Sequence, residues 1–213
     1  CINNNPITIL TFAASVWGMN DVTHLGIYDI PMMSNIPNLV YLAPTTYEEY
    51  IAMLDWSTEQ REHPVAIRVP GAVIHGEKPT KDYGILNKYE TVQKGSGAAI
   101  IALGTFFGMG KQAAELIEKK TGVKPTLINP VYITGIDEEL LESLKKDHKA
   151  VITLEDGILD GGFGEKIARF YGDSDMRTVN FGLKKEFLDR YDANEALRQN
   201  GITPEQIADR AAE

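Results

Sequence analysis

The sequence predicts an α/β fold, and three observations predict it. Short apolar runs rich in Ile, Val, Leu and Ala recur at residues 7–13, 39–43, 65–69, 98–103, 126–128 and 150–154. Runs of this kind are strands buried on both faces of a parallel sheet. Segments with helical spacing and N-terminal caps alternate with them, and Gly or Pro marks the junctions.

Residues 7–13 form the first expected strand. A polar loop follows, Asn20-Asp21-Val22-Thr23-His24-Leu25-Gly26, with an amide, an acid, a hydroxyl and an imidazole inside five residues. A loop of that make-up beside a strand end is where α/β enzymes present chemistry. Residues 39–43 are a second strand, closed by Pro44. Thr45 or Thr46 can cap the next helix, with Glu48 and Glu49 in its first turn. Tyr47, Tyr50, Ile51 and Leu54 recur there at helical spacing. Residues 65–69 are a third strand, stopped by Pro70-Gly71, and strand, helix, strand makes one right-handed crossover.

Residues 71–88 lose periodicity and carry Gly76, Pro79 and Gly84. A linker over 74–88 between units 1–73 and 89–213 is expected. Residues 89–93 are a short edge strand. The second unit then alternates: strand 98–103, a glycine-rich turn at 104–110, helix 111–120, strand 126–128, and a helix from its cap Asp137 to Lys146. Strand 150–154 comes next, then a helix opened by Gly161-Gly162-Phe163-Gly164 and reaching Tyr171, then strand 178–181. Helices at 194–199 and 204–212 close the chain, the last with Thr203 as cap and Pro204 in its first position. Four strands with interleaved helices give a doubly wound α/β unit.

The chain has 213 residues, enough for one large domain or two small ones with a proper core. Its net charge of −9, with no basic run, excludes a nucleic-acid footprint. No apolar run approaches the roughly 20 residues that span a bilayer, so no membrane partner is expected. Cys1 is the only cysteine, which excludes an intrachain disulfide or a thiolate metal cage and suits a reducing cytoplasm. The chain lacks a first Met and reaches a strand almost at once. A piece of a longer protein, cut inside a domain, is expected.

Four places carry candidate chemistry. His24 suits general acid–base work near neutral pH, whereas His63, His75 and His148 sit in loop-like contexts and are expected to be solvated. Arg68 lies inside an apolar strand, and a buried guanidinium needs a partner, either a protein carboxylate or a substrate phosphate. Gly104–Gly110 sits at a strand-to-helix turn where N–H groups can face an anion, but tight packing of helix on strand is the favoured account. The turn is not a P-loop, because Gln112 stands where a Ser or Thr would hold magnesium. Glu155-Asp156-Gly157 offers paired acids as metal ligands or bases, with a simple turn near a helix N-terminus favoured over either.

Several motifs also occur in a fixed order. In the first half they are Thr23-His24-x-Gly26, Asp29, Asn35-Ile36-Pro37-Asn38-Leu39-Val40, Ala43-Pro44 and Ala66-Ile67-Arg68-x-Pro70. In the second they are Gly104-Thr105, Ile136-Asp137-Glu138-Glu139-Leu140-Leu141, Thr153-Leu154-Glu155-Asp156-Gly157, Gly161-Gly162-Phe163-Gly164 and Gly182-Leu183. This string resembles the 1-deoxy-D-xylulose-5-phosphate synthases, thiamine-diphosphate enzymes of the transketolase superfamily. The resemblance implies that 1–73 is the back part of a transketolase-like pyrimidine-binding domain and 89–213 a transketolase C-terminal domain. It implies decarboxylation of pyruvate and transfer of the two-carbon unit to glyceraldehyde 3-phosphate. It makes His24 catalytic and facing the donor, has Arg68 anchor the acceptor phosphate, and sets Asn20 and Asp21 at the substrate.

The same resemblance implies that thiamine diphosphate and Mg2+ belong to the complete enzyme and that this chain alone binds neither and is inactive. The G-D-G metal motif and the activating glutamate fall in a missing N-terminal part, which becomes the expected partner. A homodimer and self-association through the sheet within 7–69 are also expected. Pro70-Gly71-Ala72, Thr134-Gly135 and Lys184-Lys185 depart from the family pattern. The alternatives are therefore a transketolase-like subunit with another acceptor, a non-catalytic assembly module, or an unrelated anion-binding α/β protein. Under the first reading, His24 and Arg68 are expected to converge on one rim.

Overall fold

The computed structural model describes residues 1–17, 21–69 and 71–212. The first half builds a three-stranded parallel sheet of β1 (Thr8–Thr11), β2 (Val40–Leu42) and β3 (Val65–Arg68), in the order β1-β3-β2. Between β1 and β2 lies a short helix, α1 (Asp29–Met33), and between β2 and β3 lies α2 (Tyr47–Glu59). Thr46 caps α2 by accepting from the Glu49 N–H at 3.2 Å, and Glu49 reaches back to the Thr45 N–H at 2.7 Å. That exchange satisfies donors a helix start leaves bare.

β3 is buried along its whole length, as its apolar run requires. β1 is shorter than expected and lies at a sheet edge, which corrects its assignment as a doubly buried strand. Ile7 and Ile9 are partly exposed and Phe12 is 69% exposed.

The second half is a five-stranded sheet of β4 (Glu90–Gln93), β5 (Gly97–Ala102), β6 (Thr126–Asn129), β7 (His148–Ile158) and β8 (Arg177–Leu183), in the order β4-β6-β5-β7-β8. β4 pairs antiparallel and the rest are parallel. Alternation sorts the side chains onto two faces. Ile100, Leu127, Ile152 and Leu154 pack under α3 (Phe107–Thr121) and α7 (Pro204–Ala212). Ala99, Ile101, Ile128 and Val151 pack with Leu141 and Leu144 of α4 (Glu138–Leu144) and with Ile167 and Tyr171 of α5 (Phe163–Tyr171). Helices on both faces make the unit doubly wound, as the alternating pattern predicts. α6 (Ala193–Gln199) precedes α7.

α3 starts at Phe107, so Gly108 and Gly110 are helical and do not belong to a turn. A Cβ on Gly110 would stand 2.6 Å from the Ala102 Cβ, so the glycine lets α3 lie close on β5. This is the packing account of that segment. β7 likewise runs through Glu155-Asp156-Gly157 to Ile158, where a turn was expected.

The halves share one core. Ile30, Tyr41 and Ala66 of the first sheet region cluster with Ile101, Ile128 and Phe163 of the second. Backbone bonds join them as well: Ala43 N–H to the Val131 carbonyl at 2.8 Å, and Ile133 N–H to the Tyr41 carbonyl at 2.8 Å. The connecting segment carries no helix or strand, yet Tyr83 is buried and its carbonyl accepts from the Tyr132 hydroxyl at 2.9 Å.

Candidate active-site loop and the ion network beneath it

The loop after β1 is ordered by its own polar side chains. Val22–His24 is one 3-10 turn, and Asp21 caps it. One Asp21 carboxylate oxygen, Oδ1, accepts from the Thr23 N–H and from the Thr23 hydroxyl, both at 2.9 Å. Those bonds hold the Asp21 carboxyl below the usual carboxylate range, the backbone bond contributing most. The Thr23 Oγ1 lies 2.8 Å from His24 Nδ1, and the His24 N–H donates to the Asp21 carbonyl at 2.9 Å. Asp21, Thr23 and His24 are all exposed.

The rest of the loop is anchored from both halves. The Gly26 carbonyl accepts from the Ser15 N–H at 2.8 Å, and a side chain at position 26 would run into the Ala13 carbonyl. Ile27 is buried in the second half's core and its carbonyl accepts from the Ile158 N–H of β7 at 2.9 Å. The segment after β8 crosses above. Asp189 accepts from the Val22 N–H at 3.2 Å, the Tyr28 hydroxyl donates to the Glu186 carbonyl at 2.6 Å, and Tyr28 packs on Phe187.

Below the loop lies Arg68, only 4% exposed at the end of β3. Its Nε donates to Asp29 Oδ2 at 2.8 Å and its Nη2 to Asp29 Oδ1 at 3.2 Å, while Nη1 binds Asp156 of β7. Nη2 also reaches the Gly26 carbonyl at 3.3 Å. Burial alone would lower the guanidinium pKa, but Asp156 and Asp29 outweigh it and the group is held charged. The carboxylates are satisfied in turn: the Tyr41 hydroxyl donates to Asp29, and the Thr105 hydroxyl donates to Asp156 Oδ2 at 2.7 Å. Burial and Asp29 push the Tyr41 phenol up, so it stays a donor. With its proton on Asp156, Thr105 accepts from Ser15 across 3.2 Å.

The structure thus keeps Asp21 and His24 together in the loop and ties Arg68 to the same loop through Gly26. Asn20 lies outside the described residues. Of the two partners open for Arg68, the structure supplies protein carboxylates, and these occupy all three guanidinium nitrogens. Asp156 as an ion partner, together with Thr105, Tyr41 and Ser15, went unrecognised in the sequence. The available signal was an acid inside the apolar run of β7, matching an arginine inside that of β3.

Glu155, beside Asp156, does different work. It is fully buried and accepts from the Phe163 and Gly164 N–H groups, at 2.7 and 2.8 Å, at the start of α5. Burial pushes its carboxyl up to about 7, against the pull of those two N–H groups. No three His, Cys, Asp or Glu side chains among the described residues cluster as a metal site. His148 departs from the solvated state expected of it: it is half-buried in β7, and its Nε2 lies 2.7 Å from Thr126 Oγ1. Lys166 of α5 donates to the Ser34, Ile133 and Thr134 carbonyls, and burial pulls its ammonium down to about 8. A cleft of about 360 Å3 between Asn35, Asn38, Asn87 and Thr134 includes no residue of the His24 loop.

Residues 87–207 match the family described as transketolase, C-terminal domain. A 1-deoxy-D-xylulose-5-phosphate synthase of Clostridium tetani is 32% identical over 210 residues, covering 97% of this chain and 34% of that protein. One from Clostridium perfringens is 33% identical over 213 residues, with the same coverage of 97% and 34%. The chain therefore spans about a third of the length of the curated relatives it matches. Among solved structures, a split-gene transketolase described as an inactive β4 tetramer superposes with a TM-score of 0.82 at 21% identity, covering all of this chain and 67% of that one. A transketolase from Pichia stipitis, in complex with sedoheptulose 7-phosphate, superposes with a TM-score of 0.75 at 18% identity, covering 99% and 30%.

Proposed function

The chain belongs to the family of transketolase C-terminal domains, and from that premise we propose that it is the C-terminal part of a thiamine-diphosphate-dependent 1-deoxy-D-xylulose-5-phosphate synthase. The complete enzyme decarboxylates pyruvate and transfers the two-carbon unit to glyceraldehyde 3-phosphate. The observation that carries this is the His24 loop, an exposed imidazole on a turn braced by both sheets, in a chain similar to such synthases over 97% of its length.

Thiamine diphosphate supplies the decarboxylating and two-carbon-transfer chemistry when bound. Its metal and diphosphate end is assigned to the complementary N-terminal part and not to the described residues. They fit the substrate side. His24 exchanges protons with the substrate. Asn20 is a further substrate-binding residue, and residues 1–73 are the back part of the pyrimidine-binding domain. The complementary N-terminal part, in a homodimeric enzyme of the cytoplasm, covers the open β1 edge, where Ile7, Ile9 and Phe12 are exposed.

The test is complementation. This chain is mixed with the N-terminal two-thirds of a clostridial relative and supplied with thiamine diphosphate, Mg2+, pyruvate and glyceraldehyde 3-phosphate. Product is expected from the mixture and from neither part alone, and His24→Ala lowers its rate by about 10²–10⁴-fold. Turnover by this chain alone overturns the proposal.

One observation favours a second reading, a transketolase-like subunit with another acceptor. Arg68 is committed to Asp29 and Asp156, which supports a structural role for it in place of phosphate anchoring. A higher kcat/KM with an unphosphorylated aldehyde than with glyceraldehyde 3-phosphate selects that reading.

A further inference from the structure

We propose that Asp21 and Thr23 are positioning residues that fix His24 as its Nδ1–H tautomer, which leaves Nε2 as the proton-exchanging atom. The second half of that statement rests on His24 being the acid–base group proposed above. The first half stands on the hydrogen count at the Thr23 hydroxyl.

A threonine hydroxyl has one proton to give and lone pairs with which to accept. An ionised aspartate can only accept. The 2.9 Å contact between Thr23 Oγ1 and Asp21 Oδ1 therefore uses the hydroxyl proton. The Thr23 N–H, bound to the same carboxylate oxygen at 2.9 Å, holds that carboxylate in place, and the His24 N–H on the Asp21 carbonyl closes the turn. With its proton directed to Asp21, Thr23 Oγ1 faces His24 Nδ1 at 2.8 Å as an acceptor. Nδ1 must then carry the hydrogen, and in a neutral imidazole Nε2 holds the lone pair.

The chain of bonds also tolerates a change of charge. When Nε2 gains a proton, Nδ1–H still donates to Thr23, and no hydroxyl needs to rotate. Asp21 thus acts on the imidazole through Thr23 and not by touching substrate. The Asp189 carboxylate, on the Val22 N–H from the segment after β8, supports the same turn from outside.

The tautomer is read directly by long-range 1H–15N correlation on this chain with 15N-labelled histidine at pH 8. The sequence has four histidines, and His24→Gln assigns the relevant one. A protonated, pyrrole-like Nδ1 and a pyridine-like Nε2 are expected for His24. Thr23→Val and Asp21→Ala each shift it toward the Nε2–H form, Thr23→Ser restores the wild-type pattern, and His148 in β7 stays unchanged as the check on folding. An Nε2–H pattern in the wild type, or no response to Thr23→Val, overturns the assignment. In the complemented enzyme, Thr23→Val is expected to lower kcat tenfold or more, with Thr23→Ser restoring it. If the tautomer is as stated but His24→Gln keeps full activity there, the acid–base role of Nε2 falls while the Nδ1–H assignment holds.

Discussion

The five-stranded sheet carries helices of its own half on both faces. The three-stranded sheet takes a charge partner, a backbone bridge and part of its core from its neighbour. In the larger sheet, Ile100, Leu127 and Ile152 are packed by α3 and α7, all from the same half. In the smaller sheet, β3 places its arginine on Asp156 of β7, β2 bridges to Tyr132, and Tyr41 and Ala66 join the other half's cluster. The loop that carries His24 belongs to the dependent sheet. Its turn is closed by Asp21 and Thr23, and its far end is held by the contact between halves, where the Ile27 carbonyl accepts from the Ile158 N–H of β7.

The largest effect should come from cutting the charge link. Arg68→Ala leaves Asp29 and Asp156 buried with their cation gone, a loss of about 3–5 kcal/mol. Urea denaturation followed by amide exchange is expected to show β1 and β3 losing protection before β5 and β7. Equal loss in all four strands would break the contrast between the sheets.

A smaller test bears on the larger sheet. Glu155 sits at about 7 in the folded protein, above the ordinary 4.5 of an unfolded glutamate. Folding therefore favours its protonated form. The resulting contribution is fully present below about pH 4.5 and is lost as pH rises through about 7, by at most about 3 kcal/mol at about 1.36 kcal/mol per pKa unit. Lys166, pulled down from 10.5 to about 8, works in the opposite sense above that window, so its burial penalty is relieved as pH rises from about 8 toward 10.5. Unfolding free energies measured from pH 4 to 10 should dip between these limits. Lys166→Met removes only the alkaline rise, and a flat profile across pH 4.5–7 would contradict the burial of Glu155.

The smallest effect concerns α2 of the dependent half. Thr46→Ala removes the cap on the Glu49 N–H and should cost about 1 kcal/mol. Thermal unfolding reads the loss, and Thr46→Ser should recover most of it.

Local chemistry made much of this fold legible. The caps Thr46, Asp137 and Thr203 and the apolar runs of β3, β5, β6 and β7 announce themselves within a few residues. What stayed hidden depends on distant chain. β1 has the composition of a central strand, and only the sheet order shows it to be an edge. The helix Asp29–Met33 is five residues long with Pro31 inside, too short for any period to mark it. At the candidate site, His24 and Asp21 could be read from their own loop. The partners of Arg68 stand 39 and 88 residues away, so the sequence could demand a counter-charge but not name it.

The packed connector between the halves has a practical consequence. Tyr83 is buried and tied to Tyr132, and β2 is stitched to residues 131–133 by main-chain bonds independent of the linking peptide. A protease nick on the exposed side of that connector should therefore leave two fragments that travel together through gel filtration. The molecule is in this sense already prepared to be encoded as two polypeptides.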